Sequence, residues 1–158
     1  MKHILTPILL ITLLFPSLAY GVTMDDLVYR DGLYYKKFSD VPFTGKTTGK
    51  SQGSFKDGKL NGPWTQYWLS GQLVVKGKYK NGKKHGPWVF YHDNGQLWRN
   101  ENYKDGKLNG PWVSYYDDGQ LAHKGTYKHG EQEGPWVSYS PNGQLFYKGT
   151  YENGKKVT

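Results

Sequence analysis

Downstream of one opening apolar run, the chain alternates short aromatic-rich stretches with polar pairs centred on glycine. Trp88-Val89-Phe90-Tyr91 and Gln96-Leu97-Trp98-Arg99 are typical stretches. One set of pairs comprises Ser70-Gly71, Asn94-Gly95, Asp118-Gly119 and Asn142-Gly143; the other comprises Asp57-Gly58, Asn81-Gly82, Asp105-Gly106, His129-Gly130 and Asn153-Gly154. Asn-Gly and Asp-Gly favour type I′ hairpin turns, whose two central residues both need positive φ. The turn glycines alternate at spacings of 11 and 13, which leaves room for one short strand between turns. No segment shows apolar spacings of three and four over a helical length. Each unit is thus predicted to hold two strands, one starting near the Trp and one near the Gln-Leu pair. A Pro just before the Trp suits a strand entrance, where no ladder donor is needed.

The pattern is an unbroken repeat. Gly-Pro-Trp recurs at 62–64, 86–88, 110–112 and 134–136, a period of 24 residues. Trp64, Trp88, Trp112 and Trp136 keep step with Tyr67, Tyr91, Tyr115 and Tyr139, and with Tyr79, Tyr103, Tyr127 and Tyr151. Four copies in register mark a repeat architecture. Residues 62–158 are read as four 24-residue hairpin repeats. The phase continues upstream in degraded form through Phe43, Gly53, Phe55 and Gly58, so residues 22–61 are read as a divergent N-terminal repeat or cap.

A lone hairpin is marginal in water. Each unit offers a few large apolar side chains, worth roughly 1.5–3 kcal/mol apiece when buried, against roughly 1–2 kcal/mol to order each residue's backbone. Neighbouring units must therefore cover one another. The fold class expected is all-β: an elongated, single-layer antiparallel meander of consecutive β-hairpins, adding about 10 Å per repeat. Alternation groups Val89, Val113 and Val137 with Tyr91, Tyr115 and Tyr139, and groups Leu73 and Val75 with Gly77 and Tyr79. These two sets are expected to pack together, with the Trp stacked on a Gly-rich neighbour or lining the opposite groove.

Composition sharpens this picture. Aromatics make up 16% of the chain and glycine contributes 21 residues, which suits many turns and short strands and argues against a thick aliphatic core. There is no cysteine, which excludes disulfides, thiolate metal sites, a cysteine nucleophile and a lipidated N-terminal cysteine. Lys2 and His3 precede an apolar run from Ile4 to Phe15, and Ala19-Tyr20-Gly21 follows. Residues 1–21 are read as a cleaved signal peptide, the run being too short for a comfortable span. The expected destination is the periplasm or the exterior of a bacterial cell. The formal net charge is +8, and removing Lys2 with the first 21 residues leaves +7. The lysines are dispersed, so no nucleic-acid partner is expected. Lys56, Lys80, Lys104 and Lys128 recur in phase and suit an anionic lipid or polysaccharide as an alternative partner.

Residues able to do chemistry do not assemble into motifs. His85, His92, His123 and His129 lack metal-ligand spacing. Asp25, Asp26, Asp93, Asp117 and Asp118 are explained by turn formation. Ser114, Ser138 and Ser140 have no Gly-x-Ser-x-Gly context. The reading is no enzyme, no cofactor and no metal. Positions that vary on a fixed scaffold are where a binding surface is individualised. After the second-strand Leu the units carry Val74, Trp98, Ala122 and Phe146, then Val75, Arg99, His123 and Tyr147. Trp68, Trp98, Arg99, His123, Phe146 and Tyr147 form the candidate binding surface; the repeated Trp and Tyr are assigned to packing between repeats.

The string Gly77-Lys78-Tyr79-Lys80-Asn81-Gly82-Lys83-Lys84-His85-Gly86-Pro87-Trp88 resembles the MORN motif in its bacterial variant form. The pattern runs over residues 53–156. It is similar to proteins labelled YwqK-type antitoxins, although a signal peptide departs from that label. The resemblance implies consecutive antiparallel hairpins without catalytic residues, and roles in protein scaffolding, self-association or phospholipid binding. The function expected is a protein-interaction or scaffolding module in the cell envelope, with self-association possible through the open strand edge.

Overall fold

The computed structural model describes residues 21–157. The signal-peptide reading lies outside the described residues, apart from Gly21. A 3₁₀ turn, Met24–Asp26, leads into a two-stranded sheet of β1 (Leu27–Arg30) and β2 (Leu33–Lys36). Everything after it is one antiparallel sheet of 13 strands. Its strands are β3 (Gly45–Lys46), β4 (Ser51–Lys56), β5 (Lys59–Tyr67), β6 (Leu73–Lys80), β7 (Lys83–Lys84) and β8 (Gly86–Tyr91), then β9 (Leu97–Lys104), β10 (Lys107–Leu108) and β11 (Gly110–Tyr115), then β12 (Leu121–Lys128), β13 (Glu131–Tyr139), β14 (Leu145–Glu152) and β15 (Lys155–Lys156). Strands pair with their neighbours in sequence, so the sheet is a meander. β7 and β10 are the leading ends of β8 and β11, interrupted at His85 and Asn109. Both interrupting residues still donate across the gap, to the carbonyls of Lys78 and Asn102.

Two kinds of turn alternate along the two long edges. At the tight turns, Asp57, Asn81, Asp105, His129 and Asn153 hold φ near +50° and the following Gly also has positive φ, as type I′ requires. At the wide turns only the glycine is left-handed (Gly71, Gly95, Gly119, Gly143). There Gly71 N–H donates to the Trp68 carbonyl at 3.0 Å and Trp68 N–H to the Gln72 carbonyl at 2.8 Å, closing a type I turn with a glycine bulge. The sequence reading gave both sets one turn type. The wide set differs because its Asn or Asp side chain caps the chain two residues on, as Asn94 Oδ1 accepts from Gln96 N–H at 2.9 Å.

The expected sidedness is corrected. Trp64, Trp112 and Trp136 stand directly opposite Gly77, Gly125 and Gly149, so the Trp shares a face with Val75, Gly77 and Tyr79. Val89, Val113 and Val137 pair instead with Lys76, Lys124 and Lys148 on the other face. The ladder slips in both kinds of hairpin: beyond the Trp at the wide turns, between Gln66 and Tyr67 or Phe90 and Tyr91, and across the Gly-Pro segment at the tight turns, opposite Ser54 and Gly125.

Repeats are stitched at both edges. Each tight-turn Gly N–H donates to a carbonyl in the repeat before: Gly82 to Leu60, Gly106 to Lys84, Gly130 to Leu108 and Gly154 to Gln132, all within 3.0 Å. At the wide-turn edge, His92 Nε2 lies 3.0 Å from the Tyr115 carbonyl and Tyr116 O–H donates to the Tyr139 carbonyl at 2.7 Å. The N-terminal segment covers the first repeat with a small core of Leu27, Phe43 and Phe55, against which Tyr34, Leu60 and Trp64 pack.

Candidate functional site

The Trp face is organised by what each Trp rests on. Trp88 is 2% exposed, and its Nε1–H donates to the Lys78 carbonyl at 3.2 Å. Trp136 makes the same bond to the Thr126 carbonyl at 3.2 Å. Both rings lie flat over a glycine of the preceding strand. A Cβ on Gly77 would sit 2.3 Å from the Trp88 ring, and one on Gly125 would sit 2.2 Å from Trp136. Glycine at this position is therefore a steric requirement for the ring's seat. Tyr79 and Tyr127 then meet the next Trp edge-on, at 4.9 and 5.1 Å between centroids.

One repeat breaks the rule. Where the others have Gly53, Gly77, Gly125 and Gly149, the third position in the column is Glu101. Its side chain is buried, and Tyr103 O–H donates to its Oε2 at 2.7 Å. Arg99 Nε lies 2.8 Å from Oε1, an ionic contact without directed hydrogen-bond geometry. Trp112 cannot lie over residue 101, so its Nε1–H turns to Glu101 Oε1 at 3.4 Å. The ring leans toward the following repeat, 5.6 Å from Trp136 and 6.2 Å from His123.

On the two sides of this irregularity the face looks different. Around Trp88 it is filled. Lys84 Nζ stands 4.4 Å from the Trp88 ring centroid, 4.9 Å from Tyr103 and 5.3 Å from Phe90. The Arg99 guanidinium covers Phe90 at 4.7 Å and Trp98 at 4.5 Å. These are cation–π distances. Burial pulls the Lys84 ammonium below the usual lysine range, and the nearby Arg99 adds to the effect while Glu101 opposes it. Burial, aided by the Glu101 hydrogen bond, pushes the Tyr103 phenol well above the usual tyrosine range.

Forty-eight residues on, the same positions carry Gln132 for Lys84, Ser138 for Phe90 and Tyr147 for Arg99. Here the face opens into a cavity of about 280 Å³, walled by Trp112, His123, Tyr127, Trp136, Tyr147 and Tyr151, with Gln132 and Ser138 among its lining. Burial raises the Tyr127 phenol. A hydrogen bond from Tyr147 to Tyr151 across 3.1 Å raises that of Tyr147. All these side chains are uncharged or, for His123, titratable; Lys156 Nζ stands 5.1 Å from the Tyr147 ring.

The structure divides the six candidate residues of the sequence reading. His123 and Tyr147 line the cavity, and His123 Nδ1 lies 3.1 Å from Ser114 Oγ. Arg99 is on the same face but is taken up by Glu101, Phe90 and Trp98. Trp68 (45% exposed), Trp98 (41%) and Phe146 (81%) lie at the wide-turn edge, the last two in the bulges of β9 and β14. The structural Tyr67, Tyr91, Tyr115 and Tyr139 stand half-buried opposite Leu73, Leu97, Leu121 and Leu145. Glu101 was overlooked, though the break in the glycine column marks it in the sequence. No group of His, Asp and Glu among the described residues is placed to hold a metal ion.

Comparison with curated proteins finds no match. The MORN repeat variant model matches at residues 60–81, 84–105, 108–129 and 132–153, more than half of the chain. Each matched segment is one strand–turn–strand unit of the sheet, and this repeat is a binding type without catalytic residues of its own. Fold and matched segments agree that the chain belongs to the MORN repeat variant family.

Proposed function

We propose that the chain is an exported, non-catalytic interaction module that docks or scaffolds a partner protein in the bacterial cell envelope. The observation that carries this reading is the wide-turn edge. Trp68, Leu69, Trp98, Leu145 and Phe146 all stand at that edge and remain 41–85% exposed. Aromatic side chains held on a rigid sheet are the residues that anchor protein interfaces. Scattered exposed apolar residues are ordinary, but recurrence at one edge of a repeat is not scatter. Crosslinking in intact cells should trap a discrete partner. Trapping should be lost when Trp98 and Phe146 are both replaced by Ser, and kept when lysines of the tight-turn edge are replaced by Gln. A partner trapped equally by all variants would sink the reading.

A second reading rests on the opposite edge. Lys56 pairs with Lys59, Lys80 with Lys83 and Lys104 with Lys107 across successive tight turns, all exposed. Stacked turns make this a basic strip suited to an anionic lipid or polysaccharide surface. Such binding should fall steeply with salt, and co-sedimentation with vesicles that ignores anionic lipid content would remove it. The immunity role suggested by antitoxin-labelled proteins gains no support from a relative.

A further inference from the structure

We infer that the cavity of the last two repeats is a binding site for one neutral sugar ring, a pyranose unit of a polysaccharide or glycan. This goes beyond the proposed docking edge, and either can fail without the other. Three observations carry it. The cavity, at about 280 Å³, is just below the roughly 300–1,000 Å³ of pockets for drug-sized ligands, so it fits a single ring. Its lining mixes aromatic faces with the Ser138 hydroxyl, the Gln132 amide and the phenols of Tyr127 and Tyr147. A pyranose matches that mixture, with C–H faces to stack on rings and hydroxyls to meet the polar groups; a lipid tail would leave those groups without partners. Finally, no carboxylate lines the cavity, and the Lys156 ammonium lies over Tyr147 at its rim. An aromatic cage built for a quaternary ammonium would find a like charge there.

Two features of the sequence make the site. Glu101 turns Trp112 away from its glycine seat and toward Trp136. Ser138 and Gln132 stand where Phe90 and Lys84 fill the equivalent space. The chain thereby supplies its own control: Ser138→Phe copies the filled repeat into the open one.

The test titrates the purified protein with maltotriose, cellotriose and N,N′,N″-triacetylchitotriose, read by tryptophan fluorescence and calorimetry. At least one sugar should saturate at millimolar concentration or below. Ser138→Phe and Tyr147→Ala should each weaken it at least about tenfold. Trp98→Ala, at the docking edge, should change it less than about twofold, and circular dichroism should show every variant folded. No saturation by any of the three up to about 20 mM, a sugar response untouched by Ser138→Phe, or tighter binding of choline or N-acetyltryptophanamide than of any sugar would each overturn the assignment.

Discussion

The repeat around Trp88 and the repeat around Trp136 share one backbone plan, yet one is packed shut and the other holds a cavity. Both rings lie over glycine and donate to the same backbone carbonyl position. The difference lies in the positions around them: Val75, Lys84, Phe90, Arg99 and Glu101 against His123, Gln132, Ser138, Tyr147 and Gly149. The lesson is a division of labour inside the period. Gly, Pro, Trp and the tight turn set the scaffold, and the remaining positions on the Trp face decide whether a repeat closes or leaves a cavity.

The largest test of this comparison is truncation of the rings. Trp88→Ala is expected to cost about 3–5 kcal/mol, as for fully buried aromatics. Trp112→Ala, whose ring has lost its seat and is half-buried, should cost less than half of that. Chemical denaturation of both variants measures the gap, and equal losses would mean that Glu101 has not displaced the ring. Next comes Gly77→Ala, which sets a Cβ 2.3 Å from Trp88 with Lys84 and Phe90 closing the ring in. Overpacking of this kind should cost about 1–3 kcal/mol. The reverse change, Glu101→Gly, takes the acceptor away from Arg99 and from the Tyr103 hydroxyl and should also cost about 1–3 kcal/mol, the penalty of partly buried polar groups left without a partner. Its signature is structural: Trp112 should settle over residue 101, move its Nε1–H to the Asn102 carbonyl and leave Trp136, visible as a changed indole proton shift in NMR.

The smallest effect is alkaline. The Tyr103 phenol is raised in the fold above its ordinary value of 10.0, first by burial and then by its bond to Glu101. A raised folded pKa means that its stabilising contribution is whole below about pH 10. That contribution fades as pH climbs toward the folded value, because the unfolded chain releases its proton first. Lys84 works the other way. Its folded pKa is depressed by burial, so its penalty is present at lower pH and is relieved as pH rises through the unfolded value near 10.5. Denaturation from pH 9 to 11 should therefore show a shallower decline for Tyr103→Phe than for the parent, and a steeper one for Lys84→Met. Parallel curves would remove both groups from the account.

The 24-residue period, the strand–turn–strand plan and the single-layer sheet were legible because each rests on local chemistry: glycine and Asn or Asp at turns, Pro before the Trp, aromatics in phase. Sidedness was not. It depends on where the bulges fall, and nothing in Phe90-Tyr91 announces that the ladder to β9 slips there. The site was half legible. His123 and Tyr147 were found because they vary on a constant frame. The decisive residues were overlooked for opposite reasons. Glu101 looks like an ordinary charge until one sees that a ring must lie flat on its position. Ser138 matters for being smaller than Phe90, and an empty volume has no letter of its own in a sequence.

The ties from Gly82, Gly106, Gly130 and Gly154 to a carbonyl 22 residues earlier have a consequence for the chain as a lineage of copies. A lattice of bonds that maps onto itself after one period lets the array lengthen or shorten by whole units with no new partner to find. Excision or insertion by any other length would leave donors facing the wrong rung. Within the array the junction of Glu101 with Trp112 lacks this freedom, so that seam must be inherited intact.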